Sequence, residues 1–506
     1  MSIRLRSLVI AMTGLVVAMA AWSLSSPPLS TPDEILHIAN IWCANEADGL
    51  ECISKEPNEQ GAIIGTHSFA VPSCFWRQAN IPAHCRENAN GTAGFLLLQD
   101  GSYYHAGFQK TMNTFISGDG AFSLLRMKLF NSLLFVVLVG VLLCFVSSAL
   151  AKSTLTALAV TFSPFGIWLV ASINPSGWGI TGLAMVWAFT VAVYHALLTH
   201  RKFDRVSVVP VSIVVIALVI SVFLATQARR DVMAFTIVVI AVVMTVESIR
   251  TALDHASERL RLRLRRSRWI ASLIAAAVVL WGIRYGSLLG FSYRGTLASF
   301  NESGPSLSVW LTSWLTHFPA VFLDAYGSSG LGENDIKISQ FVSIASLLVL
   351  GGVLSYATAK LSWLQLSSFA ILGLAFAAIM WFASIELDLY NVPGRYVMPL
   401  FPVIVGTYVY YSKSEVQFFD VERTRYVAIG LLGFAHALGL YAVVERYSAG
   451  SSGGIRVIPV RFDEWWWEFL PIGPNGVVLL GSAGWVIFLV YAFRYLDERQ
   501  RMAAIR

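Results

Sequence analysis

The stretch 8–37, LVIAMTGLVVAMAAWSLSSPPLSTPDEILH, decides the reading of this chain. Its first part, 8–24, is uncharged and apolar, long enough to cross a hydrocarbon core of roughly 30 Å. Pro27-Pro28 closes the run, and Thr31-Pro32-Asp33-Glu34 then sets two carboxylates just beyond it, with His37 one helical turn after Asp33. Arg4 and Arg6 precede the apolar core, as in a secretory signal. No convincing small-x-small cleavage site precedes Pro27-Pro28, and cleavage there would free the Asp33 segment from its anchor, so a retained span is expected.

Composition extends this reading to the whole chain. Of 506 residues, 56% are apolar and 13% charged, against roughly 45–50% and 25% in soluble domains. Apolar runs recur along the sequence, and a window of about 19 residues gives about 12 spans. They fall near 8–24, 129–150, 155–173, 178–198, 207–224, 232–249, 269–289, 339–358, 364–383, 396–412, 426–444 and 477–493. A soluble multidomain protein is excluded. The expectation is an all-α polytopic membrane protein, one integral membrane unit over 1–506.

Lys/Arg bias orients it. Arg250, Arg259, Arg261, Arg263, Arg265, Arg266 and Arg268 crowd one loop, and Arg201, Lys202, Arg205, Arg423, Arg425 and the tail 494–506 fall on the same side. Both termini are then cytoplasmic, and the loops 25–128, 290–338 and 445–476 are extracytoplasmic. The net charge of +6 is thus a topology signal and points to no nucleic acid. Cys43, Cys52, Cys74 and Cys85 share the first outer loop, whereas Cys144 lies in a span. An even set in one extracytoplasmic loop predicts two disulfides, Cys43–Cys52 with Cys74–Cys85 the simplest of three connectivities. A zinc site using His67 and His84 is the alternative; the spacing fits no standard zinc pattern, and no metal is expected.

The first outer loop starts as a helix, with Thr31 as N-cap, Pro32 at the first position and Glu34 closing a Thr-x-x-Glu capping box. Capping accounts for acidic residues here without any chemistry. Asp33 and His37 would nevertheless share one helix face, which makes a paired acid/base site available. Arg126, Lys128, Arg229, Arg230, Arg284, Arg294 and Arg395 map to the outer boundary against the positive-inside rule. Arginine suits phosphate oxygens, though each cation could instead snorkel or pair with an acid such as Asp231 or Asp388. Asn174-Pro175-Ser176-Gly177 reads as a tight turn between spans, and Asn391-Val392-Pro393-Gly394-Arg395-Tyr396 presents Arg and Tyr at the interface. Trp465-Trp466-Trp467 reads as a membrane anchor, with sugar stacking as the alternative.

Pro32-Asp33-Glu34 with His37, Tyr103-Tyr104, Leu125-Arg126, Asn174-Pro175-x-Gly177 and Gly394-Arg395-Tyr396-x-x-Pro399 occur in an order that resembles the bacterial membrane family called domain of unknown function 2142. The resemblance covers roughly 8–445. That family is itself similar to GT-C glycosyltransferases, which use polyprenyl-phosphate sugars on the outer face. The resemblance implies Asp33 as the first-loop carboxylate near the acceptor and Arg395 as a donor-phosphate contact. Members of the family often carry Asp where this chain has Ser176, a departure that counts against a metal-dependent mechanism.

The expected activity is transfer of a sugar from a polyprenyl-phosphate donor to a glycan or glycolipid acceptor at the outer face of the bacterial inner membrane. Asp33, tuned by Glu34 or His37, would act as base. Arg395 with Arg229, Arg230, Arg126 and Arg294 would hold the phosphate, and Tyr396, Tyr103, Tyr104 and Asn174 would contact substrate. The alternatives are a transporter or flippase of lipid-linked sugars and a non-catalytic envelope-assembly subunit.

Overall fold

The computed structural model describes residues 3–42, 44, 62–64, 75, 78–83, 95–97, 105–117, 120–199, 205–255, 312, 321–328, 330–331, 335–386, 394–414, 416–450, 465–467 and 469–505. The four loop cysteines, Tyr103, Tyr104, Arg284, Arg294, Asp388 and the expected span 269–289 lie outside the described residues. So does most of the arginine-rich loop.

The described chain is a helix bundle. Its helices are α1 (Ile3–Leu24), α2 (Glu34–Trp42), α3 (Ala106–Asn113), α4 (Gly120–Phe145), α5 (Ser148–Thr161), α6 (Pro164–Val170), α7 (Pro175–Thr199), α8 (Arg205–Ala228), α9 (Arg230–His255), α10 (Gln340–Thr358), α11 (Trp363–Glu386), α12 (Phe401–Tyr410), α13 (Glu422–Ser448) and α14 (Pro474–Ile505). Two three-residue strands, β1 (Ala62–Ile64) and β2 (Phe95–Leu97), pair antiparallel within the first loop and are the one β element among the described residues. Among the described residues, eight helices are long and apolar enough to cross a membrane, nine if one bent pair counts as a span.

That pair corrects the expected span 155–173. α5 and α6 meet at 105°, because Ser163-Pro164 cannot continue the helix and restarts it, the Ser163 hydroxyl accepting from Gly166 N–H. The break frees backbone groups in a place without water, and a neighbour takes one up. His436 on α13 sits 3.1 Å from the Phe162 carbonyl through Nε2. Its ring stacks on Trp485 at 4.4 Å. His436→Leu should therefore destabilise the protein by about 1–3 kcal/mol, the loss expected when a buried acceptor goes unpaired; unchanged thermal unfolding in detergent would show that the break needs no such partner. The expected span 396–412 is also broken, two short 3-10 turns preceding the ten-residue α12.

α1 and α14 pack closest. A Cβ on Gly14 would lie 2.7 Å from the Gly484 carbonyl, and one on Gly484 as close to that of Gly14. Small residues let helices approach in this way where no hydrophobic drive separates helix from lipid.

Helix ends collect polar groups into two layers. At one end Lys152 on α5 pairs with Asp420 and, at 2.7 Å, with Asp497, which also binds Arg425 at 2.7 Å. Arg499 reaches the Leu143 carbonyl there. At the other end lie the C-terminus of α1 and the N-termini of α4, α7 and α12. The up-and-down alternation expected from charge bias therefore brings the right loops together. In this layer Trp466 and Trp467 donate to the Leu24 carbonyl at 3.2 and 3.0 Å, and Trp467 is fully buried. These two rings satisfy the end of α1.

Candidate functional site

The site is built around the turn before α2. Helix formation starts at Glu34, later than the expected Pro32, because Asp33 has φ +55°. A left-handed residue cannot continue a right-handed helix, and Asp is among the few that tolerate it. The Asp33 side chain is consequently turned away from the regular α2 path, while its carbonyl still accepts the His37 N–H at 3.0 Å.

Glu34 takes a different part from Asp33. Its Oε2 accepts from Ser30 N–H at 3.1 Å, Thr31 N–H at 2.9 Å and the Thr31 hydroxyl at 2.7 Å. One half of the expected capping box is thus present, with the threonine hydroxyl binding the carboxylate. Oε1 lies 3.5 Å from Lys128 Nζ, both side chains being fully buried. Lys128 in turn donates toward Pro27 O at 3.3 Å and Ser26 Oγ at 3.4 Å. Glu34 and Lys128 therefore fasten the turn to α4.

Arg395 comes from the other half of the chain. Its guanidinium meets Asp33 Oδ2 at 2.7 Å, with 16% and 17% of the two side chains exposed. The backbone beneath it is fixed: Gly394 N–H donates to Asp324 Oδ2 at 2.6 Å. A Cβ on Gly394 would collide with the backbone at Asp324–Ala325.

Arg229 stands beside this pair, held from three directions. Nε and Nη2 grip Asp231 at 3.0 and 2.9 Å, Nη1 donates to the Ser176 hydroxyl at 2.7 Å, and the guanidinium lies 4.2 Å from the centre of the Tyr396 ring. Ser176 is here an arginine partner. Asn174 links the two halves: Oδ1 accepts from Ser176 N–H at 2.8 Å and Nδ2 donates to the Pro32 carbonyl at 2.7 Å. At the expected tight turn, where Gly177 N–H donates to the Asn174 carbonyl at 2.9 Å, Asn174 and Pro175 serve as the N-cap and first residue of α7.

His37 is buried below the pair, 6.4 Å from the Phe108 ring edge-on. Burial first, then the charges of Arg395 and Arg229, push its pKa down to about 3. It is neutral at physiological pH. Unfolded His37 takes up a proton below about pH 6.5, whereas folded His37 does so near 3. Its contribution to stability is therefore intact above about pH 6.5 and lost as pH falls toward 3, at about 1.4 kcal/mol per pH unit. His37→Gln should flatten this slope in denaturant unfolding between pH 6 and 4; an unaltered slope would assign it to other groups.

The remaining expected residues separate. Arg126 is exposed and lies 4.3 Å over the Phe122 ring. Arg230 is half-buried next to Arg229, and its charge adds to burial in lowering the pKa of His105. Sequence reasoning named Asp231 as an acid that an arginine could pair with, and missed Ser176 and Asp324 as supports of the arginines. The signal for Asp231 was its place two residues after Arg229, where one loop suffices to make a bidentate pair. Among the described residues no group of three or more His, Cys, Asp or Glu side chains is arranged to hold a metal ion.

A helix bundle that spans a membrane and gathers charged residues from distant loops at one end defines the class, a multi-pass membrane protein. Within it the chain belongs to the family described as predicted membrane protein (DUF2142), which matches residues 16–404. No curated protein and no solved structure matches the chain.

Proposed function

We propose that this protein is a GT-C-like membrane glycosyltransferase. It moves a sugar from a polyprenyl-phosphate donor to a cell-envelope glycan or glycolipid on the outer face of the bacterial inner membrane, both its termini being cytoplasmic. The observation that carries the reading is the meeting of Asp33 with Arg395 at 2.7 Å, a base and a phosphate ligand brought from opposite halves of the chain to one helix-bundle end.

The chemistry is a single displacement. The Asp33 carboxylate accepts the proton of an acceptor hydroxyl as its oxygen bonds to the anomeric carbon. The bond from that carbon to the phosphate oxygen breaks, and its electron pair leaves on the lipid phosphate, where Arg395 stabilises the charge. The anomeric centre inverts. Arg229 and Tyr396 hold Arg395's neighbourhood, neutral His37 excludes a competing cation, and no metal step is required.

Mass spectrometry of co-purifying lipids tests this. Wild type should carry a polyprenyl-phosphate sugar that Arg395→Ala loses by about tenfold or more, as expected for a charge-assisted contact of about 1.5–3 kcal/mol. Only bulk phospholipid in both would remove the donor site. The broken α5–α6 pair favours a second reading, a transporter or flippase, since interrupted helices line many transport paths. Movement of a lipid-linked sugar across sealed vesicles without transfer would select it.

A further inference from the structure

We propose that the Asp33–Arg395 pair is a ligand-exchanged latch: an incoming lipid phosphate takes over Arg395 and thereby releases Asp33 to act as base. The inference rests on the glycosyltransferase reading and adds to it an order of events, in which donor binding precedes base activation.

The reaction geometry demands that the pair open. In a displacement with inversion the attacking and leaving oxygens stand on opposite sides of the anomeric carbon. The groups serving them cannot touch; in inverting glycosidases the paired carboxyl groups stand roughly 6.5–9.5 Å apart. Asp33 and Arg395 are in direct contact at 2.7 Å, so this arrangement is closed to chemistry.

Among the described residues, the ion pairs Glu34–Lys128, Arg229–Asp231 and Asp33–Arg395 lie at the site and differ in access. Glu34–Lys128 is fully buried. Arg229–Asp231 has exposures of 1% and 7% and adds the Ser176 hydrogen bond. Asp33–Arg395 alone of the three is open enough, at 17% and 16%, for a ligand to reach. Its backbone is fixed on both sides, by Asn174 on the Pro32 carbonyl and by Asp324 on the Gly394 N–H. Exchange therefore moves side chains, the long Arg395 guanidinium arm and the Asp33 carboxylate, and leaves the backbone in place. Phosphate is the fitting competitor, because it offers guanidinium the same forked oxygen geometry as carboxylate with more charge.

The test is equilibrium binding of farnesyl phosphate to the purified full-length protein in detergent, with farnesol as the control for the chain alone. Asp33→Asn should bind farnesyl phosphate about three- to fivefold tighter than wild type, the value of a partly exposed ion pair. Asp33→Gly should do the same, and the left-handed backbone at position 33 accepts glycine. Arg395→Ala should lose the preference for phosphate over alcohol, with or without Asp33→Asn. Equal affinity in wild type and both Asp33 variants, still lost in Arg395→Ala, would overturn the latch and leave the donor-site reading standing. Weaker binding in both Asp33 variants would overturn the latch as well, by making Asp33 a contributor to the site. No preference for phosphate over alcohol in any variant would overturn latch and donor site together.

Discussion

Asp33→Asn is expected to lower sugar transfer by roughly 10²- to 10⁴-fold, the usual contribution of a positioned acid or base, while the protein still folds. Asn preserves size and tolerates φ +55°, so the turn before α2 should survive. What it removes is the charge that accepts the acceptor's proton. Glu34 cannot substitute, since Ser30, Thr31 and Lys128 already claim its oxygens. Nor can His37, which is buried behind the pair. The measurement is turnover with the donor lipid recovered from wild-type protein, alongside thermal unfolding of both proteins. Turnover within a factor of three of wild type would remove Asp33 from the chemistry and favour a non-catalytic assembly role.

Lys128→Met should destabilise the protein by about 3–5 kcal/mol, the effect of leaving one member of a buried pair without the other. Neither side chain reaches solvent, and Lys128 also serves the Ser26 and Pro27 backbone turn. Met fills similar volume, so the loss reports charge more than packing. Combining it with Glu34→Gln should recover much of the stability, because the uncompensated charge is then gone. Denaturant unfolding of the two variants in detergent measures this. A single variant within about 1 kcal/mol of wild type would mean that the turn is held without the pair.

Much of the fold follows from the chain alone. Runs such as 8–24 and 426–444 leave a helix crossing a bilayer as their one stable state, because lipid offers no partner for an unpaired peptide group. The same holds for sidedness among loops: alternation brings Asp33, Asn174, Arg229 and Arg395 to one end with no tertiary knowledge. The candidate acid and the candidate phosphate ligand were both legible, as charges beside apolar spans that need a reason to be there. Breaks were harder. Ser163-Pro164 carries an N-cap and a helix-start proline, yet hydropathy averages across it, and the partner of the freed Phe162 carbonyl, His436, comes from a helix far along the chain.

What only tertiary structure decided is how neighbouring like residues divide their tasks. Asp33 and Glu34 are adjacent in sequence, and helix-capping statistics treat them nearly alike. The left-handed turn at Asp33 sends one carboxylate to Arg395 and the other to buried Lys128. Arg229 and Arg395 are likewise equivalent on paper, until Asp231 and Ser176 immobilise the first. Sequence sets which charges must sit near the membrane boundary, since burial of apolar runs is a local, additive property. Pairing is a property of distance between residues 94 to 362 positions apart (Lys128 from Glu34, Arg395 from Asp33), and distance exists only once the helices have packed.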